Sequence, residues 1–493
     1  MYRRFALLGV LSYFKWTQSE PQVLNLYAFD STNSDPDAVC NDGTRGGYYF
    51  SKAIDPSQEN VFVVHLPGGG QCYDQVSCDE RADNYKSFNF TTPTLSVTGY
   101  LDASPDRTPL WGANKAYLVY CSSDGYMGDA PASNATWGYH FRGQRLVHSL
   151  FQALTLNHGF NQSKTVYLTG SSAGARGTMV HIDQLVKEYI PSSTSVIGLL
   201  DSPYYLDVPP YSSLSLGFQY QEQQKYKYFN TLAILSTGCI AAYPQTSDQW
   251  KCQFGEYRMP FVKTSYFLIS AQFDSYQLNE LTRATPDVYT PEITAYATEF
   301  GLHDRASLQN LQQSVAPTPP PRPVAHVHSS GHSDARGTKT HSFIRTGFFP
   351  PPASEDPTSP QNPRSVRGYG YYSTACYNHA VGTSDLFYKT ATNNKTILRD
   401  AFSEYLSHHA TAMNLLEARK ERKEKSLDSF QQEYKGQRPR RQTRESQELA
   451  RKSEKEELTH VVENESDRTS AWSVAWIDTC TSFQCGMYCN GIV

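Results

Sequence analysis

The stretch that decides the fold runs from Lys164 to Ile190 and reads KTVYLTGSSAGARGTMVHIDQLVKEYI. Its first part, Thr165–Leu168, predicts a buried strand, and apolar side chains beyond the glycines recur at helical spacing. Between strand and helix, Gly170–Gly174 has the pattern G-x-S-x-G, whose glycines permit a turn sharp enough to expose the central serine. Backbone N–H groups at the start of a helix favour the negative charge of an acyl-transfer intermediate. We therefore predict that Ser172 is a nucleophile and Ser171 is structural, with an ordinary loop as the alternative.

A second run of glycines follows another predicted strand. Val61–Leu66 is apolar and leads into Pro67–Gly70, where uncovered N–H groups are material for the other half of an oxyanion hole. A flexible turn is the alternative interpretation of this loop. Val23–Tyr49 is expected to be polar and turn-rich.

Strands alternate with helical stretches along the rest of the chain. This alternation predicts an α/β fold with a mostly parallel sheet and helices on both faces. Beyond the two strands above, the pattern predicts a helix at Phe141–Leu154 and strands at Lys115–Cys121, Ser195–Leu200 and Thr264–Ser270.

The 493 residues allow one large domain with insertions, or two domains. Residues 1–20 are predicted to be a signal or targeting segment, since two arginines precede a short apolar run. Two low-complexity insertions are expected: a Pro/Ser-rich disordered segment at 314–364 and a charged segment, helical or disordered, at 417–470. A single α/β-hydrolase-like catalytic domain takes the remainder, residues 21–313, 365–416 and 471–493.

Ten cysteines, an even number, predict five disulfides and an oxidising compartment. Zinc binding by the last three is the alternative, which the lack of a C-x-x-C pattern and of a nearby histidine disfavours. The cysteines are Cys40, Cys72, Cys78, Cys121, Cys239, Cys252, Cys376, Cys480, Cys485 and Cys489.

Secretion is also indicated by five possible N-glycosylation sites. Past the N-terminus, no apolar run reaches the roughly 18 residues of a membrane-spanning helix, so no integral membrane segment is expected. A net charge of −4 gives no electrostatic reason to expect nucleic acid, and we predict a secreted monomer. The predicted glycosylation sites are Asn89, Asn134, Asn161, Asn394 and Asn464.

A serine nucleophile needs a base, and the base needs an acid to orient it. In α/β-hydrolases these residues follow in the order serine, acid, histidine. Asp201 and Asp274 each follow a predicted strand after the elbow. The acid of this fold usually follows the second such strand, so we favour Asp274 and expect Asp201 to cap the turn after it.

His379 is the predicted base because Cys376 lies beside it, and a disulfide there would hold its loop rigidly. The other candidates outside the insertions are His303, His408 and His409. His408 and His409 are adjacent in a predicted helix, and we expect both at its surface. Histidines within the insertions are interpreted as solvated, and no metal or organic cofactor is expected. The insertion histidines are His326, His328, His332, His341 and His460.

Seven blocks of sequence together resemble the pectin acetylesterase/Notum family of secreted serine hydrolases. They occur in the family order and skip both insertions. The blocks are HLPGGGQCYDQVSC (65–78), YCSSDGYMGDA (120–130), LTGSSAGARG (168–177), LLDSPYYLD (199–207), AQFDSYQL (271–278), ACYNH (375–379) and WIDTCTSFQC (476–485).

This resemblance implies a cofactor-independent ester hydrolase with Ser172 as nucleophile, Asp274 as acid and His379 as base. It implies an oxyanion hole made by the N–H groups of Gly69, Gly70 and Ala173. It also implies the disulfides Cys40–Cys121, Cys72–Cys78 and Cys239–Cys252, with two more among Cys376, Cys480, Cys485 and Cys489.

The chain departs from the family around this site. Members commonly carry an aromatic residue after the first two or three glycines, where this chain has Gly70 and Gln71, and a second glycine after the elbow, where it has Ala175 and Arg176. Family members usually carry an acidic residue at the position that Pro67 occupies in this chain. The missing aromatic favours removal of acetyl or other short acyl groups from a polysaccharide. The alternatives are a Notum-like deacylase of an acylated protein and a catalytically silent secreted binding protein.

Overall fold

The computed structural model describes residues 22–30, 34–315, 367–392, 395–436 and 471–478. The β-strands in this part of the chain are β1 (Val23–Ala28), β2 (Gly47–Ser51), β3 (Val61–Leu66), β4 (Thr94–Ser96), β5 (Asn114–Leu118), β6 (Thr165–Ser171), β7 (Ser195–Asp201), β8 (Tyr266–Ala271), β9 (Arg367–Thr374) and β10 (Ala471–Ile477). The α-helices are α1 (Gln75–Asp79), α2 (Gly143–His158), α3 (Ala173–Tyr189), α4 (Gly217–Tyr228), α5 (Thr237–Ala242), α6 (Gly255–Arg258), α7 (Ser275–Thr282), α8 (Pro291–Val315) and α9 (Leu398–Gly436).

All these strands form one sheet in the order β10-β9-β8-β7-β6-β3-β5-β2-β1-β4. Neighbouring strands from β10 to β5 are parallel. The remaining pairs, β5 with β2, β2 with β1 and β1 with β4, are antiparallel. The prediction of an α/β fold with a mostly parallel sheet is therefore confirmed.

The strands of the parallel part of the sheet are largely buried, β3, β6 and β7 included. Every residue of β8 is buried, as is all of β9 after its first residue. Strands covered on both faces need such continuous apolar runs, because no side chain faces water. Helix α3 packs against β3, β6 and β7, while α8 and α9 pack against β9.

The expectation that Val23–Tyr49 is turn-rich was wrong at both of its ends, where β1 lies and β2 begins. Strand β1 lies next to the sheet edge, and Leu24 is its only buried residue. Its sequence therefore lacks the continuous apolar signal of the central strands. A strand of this kind is stabilised by its antiparallel neighbours more than by its own pattern.

Disulfides form between cysteines of the described chain. Cys40 is bonded to Cys121, Cys72 to Cys78 and Cys239 to Cys252, which are the pairs that the family resemblance implied. Cys376 is also disulfide-bonded. Cys480, Cys485 and Cys489 lie outside the described residues.

The predicted insertions and the N-terminal segment fall largely outside the described residues. Helix α9 continues to Gly436, so the charged segment is helical where it is described. Division of the chain into one catalytic domain and two insertions stays a prediction. Asn394 and Asn464 also lie outside the described part, whereas Asn89, Asn134 and Asn161 are exposed.

Two negative findings apply to the described ranges alone. No helix in them is long and apolar enough to cross a membrane. No group of three or more histidine, cysteine, aspartate or glutamate side chains in them is arranged to hold a metal ion.

Candidate active site

Ser172 lies at a sharp turn between a strand and a helix. Strand β6 ends at Ser171 and α3 begins at Ala173, so Ser172 alone makes the reversal, with φ of 53° and ψ of −121°. A non-glycine residue rarely adopts this conformation, which persists only where the surroundings impose it. A Cβ atom added to Gly174 would lie 1.9 Å from the carbonyl oxygen of Leu66, so the glycine is required by close packing. The turn projects the Ser172 hydroxyl from the carboxyl edge of the sheet.

The structure brings Ser172, His379 and Asp274 into one hydrogen-bonded chain. Nε2 of His379 lies 2.7 Å from Oγ of Ser172, and Nδ1 of His379 lies 2.7 Å from Oδ2 of Asp274. Asp274 follows β8 and caps α7, where its other oxygen, Oδ1, accepts a hydrogen bond from the N–H of Gln277 at 2.9 Å. The cap leaves Oδ2 directed at the imidazole, which sets the tautomer with the proton on Nδ1.

The charge of Asp274 also controls the protonation of His379. Burial by itself lowers the pKa of this histidine, but the Asp274 charge and its hydrogen bond outweigh burial and raise the pKa above the usual value of 6.5. The imidazole is therefore a stronger base than an isolated histidine, and its charged form is stabilised beside the carboxylate. A base of this kind is suited to accepting the proton of a hydroxyl.

Asp201, the rival acid, contacts the histidine loop instead of the imidazole. Its Oδ2 accepts a hydrogen bond from the N–H of Gly382 at 2.7 Å, and its backbone oxygen accepts one from the N–H of Ser172 at 2.8 Å. Burial raises the pKa of its carboxyl to about 6. The expectation that Asp201 caps the turn directly after it was wrong, because its side chain anchors the loop that carries His379.

The glycine loop after β3 packs directly on the serine turn. A Cβ atom added to Gly68 would lie 2.9 Å from the Cβ atom of Ser172. The N–H of Gly68 donates to Oγ of Ser171 at 3.1 Å, which gives Ser171 a structural contact. Gly69 and Gly70 have φ of 141° and 70°, values that favour glycine.

In the described part of the chain, the N–H groups of Gly69, Gly70 and Ala173 are not used by the fold. Within the described residues, no protein group accepts a hydrogen bond from the N–H of Gly69 or Gly70. Ala173 is the first residue of α3, so its N–H has no acceptor within the helix. The three groups predicted to form an oxyanion hole are thus available to an acceptor beside Ser172.

Ser172 and His379 open onto a pocket of about 570 Å³. Tyr276 stacks on the His379 ring with the ring centroids 5.3 Å apart, and Tyr205 lies edge-on to it at 6.3 Å. Sequence reasoning missed both tyrosines, although each follows one of the acids considered above within a few residues. Besides the serine turn, His379 and the glycine loop, the pocket is lined by Pro67, Gln71, Arg81, Tyr117, Tyr276, Ala380 and Thr383.

The other histidine candidates have different partners. His303 contacts Glu256, with 3.1 Å between Nε2 and Oε1. His408 is exposed on α9, whereas His409 is buried against Tyr405, so the expectation that both lie at the surface was wrong for His409. The insertion histidines lie outside the described residues.

Several proteins of known activity are similar to this chain. It is 28% identical over 292 residues to palmitoleoyl-protein carboxylesterase NOTUM of Drosophila melanogaster, an alignment that covers 57% of this chain and 42% of that protein. It is 31% identical to notum2 of Xenopus laevis, over 49% of this chain and 50% of that one. Pectin acetylesterase 7 of Arabidopsis thaliana is 28% identical, over 50% and 62%. The chain thus spans less than two thirds of the length of these relatives.

A solved structure shows the same fold. The Wnt deacylase Notum from Drosophila superposes with a TM-score of 0.61 and 22% identity, over 79% of this chain and 94% of that one. The family model described as Pectinacetylesterase matches residues 17–315, which is more than half of the chain. The chain therefore belongs to the pectinacetylesterase family, which its sequence blocks resembled.

Proposed function

We propose that this protein is a secreted carboxylic ester hydrolase that uses Ser172, His379 and Asp274 through an acyl-enzyme. The observation that carries the proposal is the hydrogen-bonded chain from Asp274 through His379 to Ser172, at the base of an open pocket. Membership of a family whose relatives include carboxylesterases and an acetylesterase supports the same reaction class.

In the first half-reaction, Nε2 of His379 takes the proton of Ser172 while Oγ attacks the ester carbonyl. Asp274 stabilises the imidazolium, which next donates its proton to the departing alcohol. In the second half-reaction, His379 takes a proton from water, the resulting hydroxide attacks the acyl group, and the proton returns to Oγ. Each acyl transfer passes through an oxyanion held by the N–H groups of Gly69, Gly70 and Ala173. One such donor contributes about 2.7–4 kcal/mol to the transition state where this has been measured.

The pocket wall favours a short acyl group. A long acyl chain gains about 0.8 kcal/mol for each CH₂ that it buries, but only against apolar surroundings. Here Arg81 and Thr383 put polar groups on the wall, and Gly70 has no side chain to offer. We therefore favour acetyl or a similarly small acyl group carried on a polysaccharide. The tyrosines of the pocket are suited to packing against sugar rings.

Removal of a fatty acyl group from a protein is the second candidate. It is supported by the palmitoleoyl-protein carboxylesterase activity for which the Notum relatives are named, and the pocket volume is large enough for part of a lipid chain. Secretion is supported in both cases by the disulfides, which form in oxidising compartments.

The test measures kcat/KM for chromogenic esters from acetate to palmitate, with the full disulfide-bonded chain secreted from a eukaryotic host. We expect activity to peak at acetate or butyrate and to be lost in Ser172→Ala. The matched control is Ser149→Ala, which removes a buried hydroxyl on α2 outside the pocket and should leave kcat/KM unchanged. A peak at eight carbons or longer would favour the deacylase. Equal inactivity of folded wild type and Ser172→Ala would refute the esterase and favour a binding protein.

A further inference from the structure

A cluster of charged side chains is buried behind the glycine loop. Arg176 lies on α3, one turn after Ser172, while Glu222 and Lys225 lie on α4. Their side chains are 1%, 0% and 0% exposed, respectively. Nη2 of Arg176 lies 2.7 Å from Oε1 of Glu222, and Nζ of Lys225 lies 3.0 Å from Oε2. Two cations therefore share one carboxylate in the protein interior.

All three groups are charged near neutral pH. Burial opposes ionisation of Glu222, but the two neighbouring cations outweigh burial and lower the pKa of its carboxyl. Burial lowers the pKa of Lys225 to about 8, which still leaves the amine protonated at pH 7. Buried charges of this kind require further polar partners to offset their desolvation.

Gln71 supplies those partners from the glycine loop. Its Oε1 accepts hydrogen bonds from Nη1 of Arg176 at 3.0 Å and from Nζ of Lys225 at 2.7 Å. Its Nε2 donates to Oε1 of Glu222 at 2.9 Å. Both polar atoms of the amide are thus committed to the buried cluster. These bonds tie the loop at once to α3 and to α4.

Gln71 directly follows Gly70, whose N–H belongs to the predicted oxyanion hole. Glycines have no side chains with which to fix their own backbone, so the direction of their N–H groups depends on neighbouring anchors. The carbonyl of Gly70 accepts from the Tyr120 hydroxyl at 2.7 Å, and the other end of the loop is held through Gly68 and Ser171. The amide of Gln71 is the anchor immediately after the glycines.

We propose that Gln71, held by Arg176, Glu222 and Lys225, is a positioning residue that fixes the N–H groups of Gly69 and Gly70 toward the oxyanion. This inference rests on the proposed esterase function. Oxyanion stabilisation depends on donors whose direction is set before the reaction, so a loosened loop should raise the transition-state energy more than it weakens substrate binding. Gln71 and Arg176, which both depart from the family pattern, thus act together in positioning the glycine loop.

The test compares Gln71→Met with Gln253→Met in the full chain, using acetate ester hydrolysis and urea unfolding. Gln71→Met keeps the side-chain volume and leaves both cations paired with Glu222. Gln253 is the control, because its buried Nε2 donates to the backbone oxygen of Glu222 and not to the loop. Its backbone oxygen, which accepts from Nη2 of Arg176, is unchanged by the substitution. We expect Gln71→Met to lower kcat about 10- to 100-fold, less than the loss of a whole oxyanion donor, with KM within about threefold. Gln253→Met should keep kcat at a similar loss of stability.

A second variant, Arg176→Lys, keeps the buried positive charge but shortens its reach to Gln71. It should give the same selective fall in kcat, which supports positioning even where Gln71→Met folds poorly. The inference would be overturned if folded Gln71→Met had the same kcat as wild type. It would also be overturned if Gln71→Met and Gln253→Met lost kcat equally. If Ser172→Ala is inactive in the same assay, the proposed esterase function survives that outcome.

Discussion

Replacement of Asp274 by asparagine tests the direction of the proposed proton relay. Oδ1 of Asp274 accepts a hydrogen bond from the Gln277 N–H, so the asparagine that best preserves this cap directs its NH₂ group at Nδ1 of His379. The imidazole would then hold its proton on Nε2, facing Ser172, where it cannot accept the serine proton. We expect kcat to fall about 10⁴-fold, as for the equivalent change in a serine protease triad. This equals about 5.4 kcal/mol of transition-state energy.

Asp201→Asn is the matched control, because it removes the buried carboxylate that anchors the loop of His379 without changing the partner of the imidazole. Asparagine Oδ1 can still accept from the Gly382 N–H, so only the charge assistance of that bond is lost. The expected cost is about 1–1.5 kcal/mol of stability and less than about tenfold in kcat. The assay is acetate ester hydrolysis at pH 8, with circular dichroism to confirm folding. The proposed relay would be refuted if folded Asp274→Asn stayed within tenfold of wild type, or if Asp201→Asn lost 10³-fold or more.

Three further predictions concern protonation, packing and the disulfides. The pKa of His379 is raised, and the histidine must be neutral to act as a base, so kcat/KM should rise with pH through a midpoint above 6.5. A midpoint well below 6.5 would contradict the role of Asp274. Gly174→Ala places a Cβ atom 1.9 Å from a backbone oxygen, so we expect loss of secreted folded protein. Immunoblotting of the medium measures this loss, and normal secretion would show that the turn can relax. Replacing Cys40 and Cys121 together by alanine opens a loop of 81 residues and should lower the free energy of unfolding in urea by ~4.5 kcal/mol on the chain-entropy model. A loss below about 1 kcal/mol would mean that the loop stays ordered in the unfolded state.

The serine turn and the elements beside it could be predicted because each depends on residues that are close together in the sequence. The turn at Ser172 requires small residues on both sides, and the strand before it and helix after it have their own periodicities. The central strands were also predictable, since burial on both faces requires the continuous apolar runs of β3, β6 and β8. Strand β1 was missed because a strand near the edge, with one buried residue, carries no such run.

The candidate site was partly predictable for a different reason. Chain order and the position of Asp274 after the second strand favoured it over Asp201, and the family resemblance pointed to the same residues. The contact of Asp201 with the His379 loop was not predictable, because Gly382 is 181 residues away along the chain. The burial of His409 was missed for a similar reason, since it depends on the tertiary contacts of α9, which packs against β9, rather than on the polarity of the helix.

The sequence alone therefore determined the fold class, the serine turn, the glycine loop and the identity of the three proposed catalytic residues. Only the tertiary structure decided how they meet: His379 reaches Ser172 across 207 residues and Asp274 across 105. It also decided that Gln71 meets Lys225, 154 residues away, in a buried charged cluster. Residue types and spacings report local backbone requirements, whereas the partners of a buried charge depend on which elements the sheet brings together.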